Sequence, residues 1–188
     1  MKNIVIFASG EGTNAENIIR FFHWNGHARV SAVFTANPNA GVLKRAEKYQ
    51  VPTVFFPKQQ AENLLQMLQK FDPDLIVLAG FLQKVPEAVI NRYEGKIINI
   101  HPALLPKFGG KGMYGMNVHR AVVEASETET GITIHYVDAH YDEGDIIFQK
   151  SVPLTGDETC EQVSEKVREL EHEYFPKVIE SLLKSDGE

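Results

Sequence analysis

The sequence predicts an α/β fold in which a mostly parallel, twisted sheet is flanked by helices and ends in an antiparallel strand pair. Two observations lead to this prediction. Short apolar strand patterns alternate with helical patterns through the first half of the chain, which favours a parallel sheet. The last two strand patterns are joined by residues 138–145, and a parallel crossover needs about a dozen residues or more. We therefore expect a mixed sheet in a single domain, residues 1–188.

Each element is assigned from its apolar periodicity and from the glycine, proline and asparagine residues that punctuate the chain. Strands are expected at residues 4–8, 30–34, 53–56, 75–79, 96–101, 132–137 and 146–152. Helices are expected at residues 14–23, from 37–39 through 49, at 61–71, from Pro86, at 118–125, and from Cys160. Pro176 should kink or divide the last helix. Trp24, beside two phenylalanines, is expected to pack in the core.

Composition restricts the class of protein and its partners. A chain of 188 residues with 43% hydrophobic residues can bury a substantial core. The longest apolar run, residues 75–82, is much shorter than the ~20 residues of a membrane span, and residues 4–8 are too few for a signal-peptide core. One cysteine fits a reducing compartment, so a cytoplasmic location is expected. The net charge of −6, without a dense basic stretch, argues against a nucleic-acid partner.

The turn at residues 9–14, between the first strand and its helix, is the first candidate site. Gly10 and Gly12 let backbone approach a ligand, and the N–H groups of a helix start favour an anion. The turn is not a P-loop, and it lacks both the third glycine and the strand-end acid of a dinucleotide fingerprint. It therefore fits either a phosphate site or an ordinary turn in which Thr13 or Asn14 caps the helix.

A sharper candidate is the apolar strand that carries Asn99 and His101 two residues apart. Period-2 alternation puts both side chains on one face, and Pro102 ends the strand there. Ligands bind at the carboxyl ends of strands in open α/β sheets. An amide donor and an imidazole could together hold a developing oxyanion. The alternative is a strand end with two satisfied polar residues.

Two later segments carry weaker signals. The loop at residues 138–145 holds four carboxylates, but EF-hand spacing is absent and no metal is expected. A carboxylate there would raise the pKa of His101 only if the loop folded beside it, which spacing alone does not show. The segment 107–115 is rich in glycine and is expected to be either a closing loop or a flexible surface loop. His135 is expected to be a hydrogen-bonded core histidine.

These segments together resemble the folate-dependent formyltransferases. The resemblance spans roughly residues 2–183 and is carried by the turn 9–14, the strand end 78–81, the Asn-x-His-Pro segment 99–106, the Gly-x-Thr-x-His strand 131–135, and the Asp-x-Gly loop 142–144. It implies the formyltransferase fold with a Rossmann-like N-terminal half. The opening turn and the length resemble the branch that formylates the amine of glycinamide ribonucleotide in purine synthesis, with 10-formyltetrahydrofolate as donor cosubstrate and no metal.

The resemblance also implies roles for particular residues. Asn99 and protonated His101 would stabilise the tetrahedral oxyanion, and Asp142 would keep His101 charged and help move protons. The implied substrate contacts are Gly12, Thr13, Asn14 and Glu171, the last facing the ribose. The implied folate contacts are Leu82, Gln83, Lys84, Val85, Asn99 and Asp138.

The sequence also departs from the family pattern. Residues 108–116 form a longer and more glycine-rich segment than in many members, and Asn117 stands where many have histidine. Residues 57–69 contain no arginine for the glutamate tail of the folate, so Lys58 would have to act as a simple point charge.

Three alternative functions remain at this stage. Methionyl-tRNA formyltransferase carries a further C-terminal domain and a basic surface, and formyltetrahydrofolate hydrolase usually carries a further N-terminal domain; we expect neither here. A non-enzymatic nucleotide-binding module would use only the opening turn and would leave Asn99, His101 and Asp142 without a task. The expected partners are small-molecule substrates, with no nucleic acid and no membrane, for a monomer or homodimer.

Overall fold

The computed structural model describes residues 1–57 and 62–185, and the elements follow the predicted order. The strands are β1 (Lys2–Phe7), β2 (Ala28–Thr35), β3 (Thr53–Phe55), β4 (Leu75–Leu78), β5 (Ile97–His101), β6 (Glu129–Tyr136) and β7 (Ile146–Pro153). The helices are α1 (Thr13–Asn25), α2 (Gly41–Lys48), α3 (Leu64–Gln69), α4 (Glu87–Arg92), α5 (Met116–Glu124) and α6 (Cys160–Ser185). Within these ranges no helix is long and apolar enough to cross a membrane. The expected role of Lys58 lies outside the described residues.

The chain separates into two compact units, one made of residues 1–98 with those from Pro176 onward, the other of residues 99–175. In the first unit the strand order is β3-β2-β1-β4-β5, and β1 pairs in parallel with both β2 and β4. In the second unit β6 follows the end of β5 and pairs antiparallel with β7. The mixed sheet with an antiparallel pair is therefore confirmed, and the single domain stays a prediction.

The core of the first unit is built on β1. Residues 4–8 are fully buried, so this strand is apolar on both faces, as a central parallel strand requires. Phe7 stacks on Phe34 with ring centroids 5.2 Å apart and meets Phe81 edge-on at 5.1 Å. Each such buried side chain contributes about 1.5–3 kcal/mol. This packing gives a firm base to the loops that leave the carboxyl ends of β1 and β4.

The structure corrects two expectations about the helices. Trp24 is 83% exposed, because the buried residues of α1 recur every three or four positions up to Phe22 and Trp24 falls off that stripe. Pro176 was expected to kink or divide α6; the helix runs through it undivided, so the division is wrong and the kink stays a prediction. A proline inside a helix costs about 3 kcal/mol. The complete burial of Phe175 and Ile179 on either side is of a size to offset that cost.

Candidate active site

In the first unit, the opening turn forms the start of α1, and packing requires its second glycine. Gly12 is the N-cap residue with φ 75°, and a Cβ atom there would lie 2.4 Å from Cγ2 of Val42. The expectation that Thr13 or Asn14 caps the helix is wrong, since both follow the N-cap. The first backbone N–H groups of a helix have no intrahelical partner and attract anions. The geometry of the turn is therefore compatible with a phosphate site.

The segment 82–85 is tied to this turn by hydrogen bonds through Ser9. The Ser9 hydroxyl accepts from the Leu82 N–H at 3.0 Å, and the Ser9 N–H donates to the Gly80 carbonyl at 3.0 Å. Leu82 is 54% exposed, whereas Val85 is buried. Gln83 is half-buried and Lys84 is exposed. The first unit thus joins two of the predicted binding segments at the carboxyl ends of β1 and β4.

In the second unit, the end of β5 presents Asn99 and His101 on one face, as their spacing predicts. Asn99 is half-buried, and His101 is only 3% exposed. Ile100 points to the opposite face and is also buried. A histidine this deeply buried must find hydrogen-bond partners, because an unpaired polar group in the interior costs about 1–3 kcal/mol.

His101 finds its partners in two loops whose roles the sequence did not decide, the acidic loop at residues 138–145 and the glycine-rich segment at residues 107–115. Its Nδ1 atom lies 3.6 Å from Oδ2 of Asp142, and its Nε2 atom lies 2.7 Å from the Phe108 carbonyl oxygen. A carbonyl only accepts, so Nε2 carries a hydrogen and donates it. Oδ2 of Asp142 also accepts the Gly110 N–H at 2.9 Å. The acidic loop and the glycine-rich loop therefore both contact the catalytic candidates of the second unit.

The charge on His101 is set by opposing effects. Burial lowers its pKa, while the Asp142 charge and the Phe108 carbonyl raise it and the charge of His135 lowers it, leaving the pKa below its ordinary 6.5. The expected upward effect of Asp142 is present, and burial outweighs it. For Asp142, burial raises the pKa, but the neighbouring His135, the hydrogen bond from Gly110 and the charge of His101 hold it below its usual value. Asp142 is therefore ionised near neutral pH.

His135 belongs to the same cluster, a role that the sequence did not reveal. Its Nδ1–H donates to the Tyr136 carbonyl at 2.8 Å. In the neutral ring Nε2 then accepts from the Asn99 amide at 3.1 Å, and Nε2 also lies 3.5 Å from Oδ1 of Asp142. The expectation of a buried, hydrogen-bonded histidine is correct, but spacing along the chain does not say that β6 lies next to β5. His135 therefore bridges Asn99 and Asp142.

The remaining predicted residues of this unit lie in the β6–β7 loop and on α6. Asp138 is exposed, and its Oδ1 atom accepts the His140 N–H at 2.7 Å. Glu171 is half-buried on α6. Their expected contacts with folate and ribose stay predictions. Across the part of the chain that the structure describes, no group of three or more His, Cys, Asp or Glu residues could hold a metal ion.

Comparison with known proteins places this geometry in a family. Residues 2–179 match the formyl transferase family. A protein of Vigna unguiculata, "Phosphoribosylglycinamide formyltransferase, chloroplastic", is 38% identical over 96% of this chain, which spans only 61% of that relative. "Phosphoribosylglycinamide formyltransferase" of Bacillus subtilis (strain 168) is 37% identical, and the match covers 97% of this chain and 95% of that relative. The crystal structure of phosphoribosylglycinamide formyltransferase from Anaplasma phagocytophilum superposes with a TM-score of 0.90, at 31% identity over 97% of this chain and 87% of that one.

These matches, with the Asn-x-His-Pro strand end and its aspartate, define a one-carbon transferase: the chain belongs to the formyl transferase family. The family implies a folate-derived formyl donor. The relatives that match over nearly the whole chain carry the name phosphoribosylglycinamide formyltransferase.

A third buried histidine, outside the cluster, lies in the same unit. His119, on α5, is 5% exposed, and its Nδ1 atom is buried with no hydrogen-bond partner among residues 1–57 and 62–185. Burial lowers its pKa to about 4, helped by the charges of His101 and Arg168. His119 is therefore neutral near pH 7, and it should make the folded state sensitive to acid.

We expect His119→Phe to flatten the dependence of stability on pH. The folded pKa of His119 lies below its unfolded value, so its contribution is present above pH 6.5 and is lost as the pH falls towards about 4. Between pH 6.5 and pH 5 the wild type should lose about 1.5 kcal/mol of unfolding free energy that the variant keeps. Urea unfolding at both pH values measures this. Equal losses in the two proteins would contradict the neutral, buried state of His119.

Proposed function

We propose that this chain transfers the formyl group of 10-formyltetrahydrofolate to the amine of glycinamide ribonucleotide, and that Asn99, His101 and Asp142 carry the chemistry. The observation that carries the proposal is the polar cluster at the end of β5, where Asn99 donates to His135 at 3.1 Å and the Asp142 carboxylate lies 3.5 Å from His135 and 3.6 Å from His101. The family match supports a formyl donor derived from folate. The named relatives support the acceptor.

The reaction needs one bond formed, one bond broken and one proton moved. The amine nitrogen of glycinamide ribonucleotide attacks the formyl carbon, and the carbonyl oxygen becomes an oxyanion. As this intermediate collapses, the bond between the formyl carbon and N10 of the folate breaks. The amine loses a proton and N10 gains one, which gives formylglycinamide ribonucleotide and tetrahydrofolate. The groups required are donors for the oxyanion and a carrier for the proton.

Asn99 is suited to be the fixed donor. Its amide carries two hydrogens, and one is directed to Nε2 of His135. That bond sets the plane of the amide and leaves the second hydrogen to point at the formyl oxygen. A preorganised donor needs no rearrangement as the negative charge develops, which is how such groups lower a barrier.

His101 is the second donor, and its charge changes during the reaction. Its Nε2–H is donated to the Phe108 carbonyl, so the formyl oxygen must replace that acceptor. Gly109 and Gly110, the latter with φ +92°, follow Phe108 and allow the backbone to move aside. The oxyanion and ionised Asp142 together favour the imidazolium form, against the effect of burial. Asp142 then also assists the proton on its way from the amine to N10, with a water between them if needed.

The binding roles follow the resemblance and the geometry of each unit. The phosphate of the substrate binds to the N–H groups and side chains of Gly12, Thr13 and Asn14 at the α1 N-terminus, and Glu171 contacts the ribose. The folate pteridine packs against Leu82, Gln83, Lys84 and Val85, with Asn99 and Asp138 as polar contacts. The chemistry as written uses no metal. The enzyme acts in the cytoplasm, as a monomer or a homodimer.

The choice of acceptor tests the proposed function directly. We expect purified protein to release deformylated folate from 10-formyltetrahydrofolate when glycinamide ribonucleotide is present, and not with water alone or with methionyl-tRNA. A spectrophotometric assay of the folate product measures all three. Release without an acceptor would make the protein a hydrolase, release with the tRNA would make it a tRNA formyltransferase, and silence with all three would favour a binding module.

The roles of the two catalytic side chains predict the effect of removing them. His101→Ala and Asp142→Ala should each lower kcat by about 10²–10³-fold, because a donor at a developing oxyanion is worth roughly 3–4 kcal/mol. Glu143→Ala is the matched control, since it removes the exposed carboxylate next to Asp142 in the same loop. It should keep near-full turnover. Folded His101→Ala or Asp142→Ala enzyme with the turnover of this control would refute the assignment.

A further inference from the structure

Thr133 lies at the centre of β6 and makes a complete set of hydrogen bonds. Its side chain is fully buried. The hydroxyl donates to the Ala103 carbonyl at 2.7 Å and accepts the Leu105 N–H at 3.0 Å and a Gln149 amide hydrogen at 2.9 Å. A hydroxyl has one hydrogen and two lone pairs, so all three are used. One hydrogen bond would be enough to compensate for the burial of this hydroxyl, and it makes three.

Gln149 completes the arrangement from the neighbouring strand. It is paired with Thr133 in the antiparallel register of β6 and β7. Its side-chain amide donates one hydrogen to the Thr133 hydroxyl and the other to the Leu105 carbonyl at 2.9 Å. The two side chains therefore bind the backbone of residues 103–105 through both its N–H and its carbonyl groups.

The segment held in this way leads directly to the groups that contact the catalytic pair. It begins two residues after His101 and ends three residues before Phe108, whose carbonyl accepts from His101. The packing around it is tight. A Cβ atom at Gly109 would lie 2.5 Å from Cδ2 of Leu105, and one at Gly131 would lie 2.8 Å from Cδ2 of Leu104. A shift of residues 103–105 would therefore displace Phe108 and Gly110 as well.

We propose that Thr133, assisted by Gln149, is a positioning residue for His101 and Asp142. Its hydroxyl fixes residues 103–105, so that the Phe108 carbonyl and the Gly110 N–H reach the His101 ring and the Asp142 carboxylate. Thr133 touches neither substrate nor the reacting atoms. The inference rests on the catalytic roles proposed above for His101 and Asp142, and it adds the group that orients them.

Thr133→Val tests the inference, because it keeps the shape of the side chain and removes only the hydroxyl. We expect kcat to fall roughly 10- to 100-fold with the KM of both substrates changed less than about threefold, as for a misplaced catalytic group. Thr133→Ser restores the hydroxyl and should recover kcat to within about threefold of the wild type. Gln149→Met removes two of the four hydrogen bonds and should give a smaller fall in kcat alone, which keeps the test available if Thr133→Val does not fold.

Thr130→Val is the matched control. Thr130 lies on the same strand and is equally buried, but its hydroxyl has no hydrogen-bond partner among the described residues. Its replacement by valine should leave kcat unchanged and the fold at least as stable. A loss of kcat in Thr133→Val no larger than in Thr130→Val would overturn the inference, as would failure of Thr133→Ser to recover.

A second measurement separates this inference from the proposed function. NMR titration of the His101 ring does not depend on activity. In Thr133→Val the Phe108 carbonyl should no longer raise the pKa of His101, so the titration should move to lower pH. An unchanged titration would overturn the positioning role even if His101→Ala abolishes turnover. Full turnover by His101→Ala would instead overturn the proposed catalytic role itself.

Discussion

The contact between His101 and Asp142 is the interaction on which the rest of the site depends. The histidine is almost completely buried, and burial disfavours its charged form. The ionised carboxylate 3.6 Å away opposes that effect. The ring is therefore neither permanently charged nor permanently neutral. A group in this balance can take up a proton when negative charge develops nearby and release it when the charge is gone, as an acid–base catalyst near neutral pH requires.

This balance requires Asp142 to stay ionised, and the surrounding groups ensure it. The Gly110 N–H donates to the carboxylate, which helps to keep its pKa low despite its partial burial. His135 in turn holds the Asn99 amide. The Asp142 carboxylate therefore lies against both histidines of the cluster. Removing it should disturb more than the charge of a single histidine.

The sequence predicted the parts of this site that side-chain patterns encode. Asn99 and His101 share a face because strand residues alternate, and the short 138–145 connection required β6 and β7 to be antiparallel. The pairing of β5 with β6 was not predictable from spacing, so His135 was interpreted only as a core residue. The Phe108 carbonyl and the Gly110 N–H were also missed, because backbone groups look the same at every position of a sequence. The exposure of Trp24 was also missed, because a residue next to the buried stripe of a helix can face solvent.

The glycine-rich segment that departs from the family pattern presents backbone groups to His101 and Asp142. Phe108 adopts φ +56°, and Gly110 and Gly112 also have positive φ values. Such backbone conformations suit glycine and cost other residues energy. They let the chain turn sharply enough to present one carbonyl and one N–H to the catalytic pair. Thr133 and Gln149 fix residues 103–105, which lead into this segment.

The central claim is that Asp142 sustains the proton affinity of a buried His101. NMR titration of the His101 ring in the wild type and in Asp142→Asn tests it most directly, because the substitution keeps the shape of the side chain and removes its charge. The account predicts a pKa below the ordinary 6.5 in the wild type, and a lower pKa still in Asp142→Asn. A pKa in Asp142→Asn equal to or above that of the wild type would contradict it.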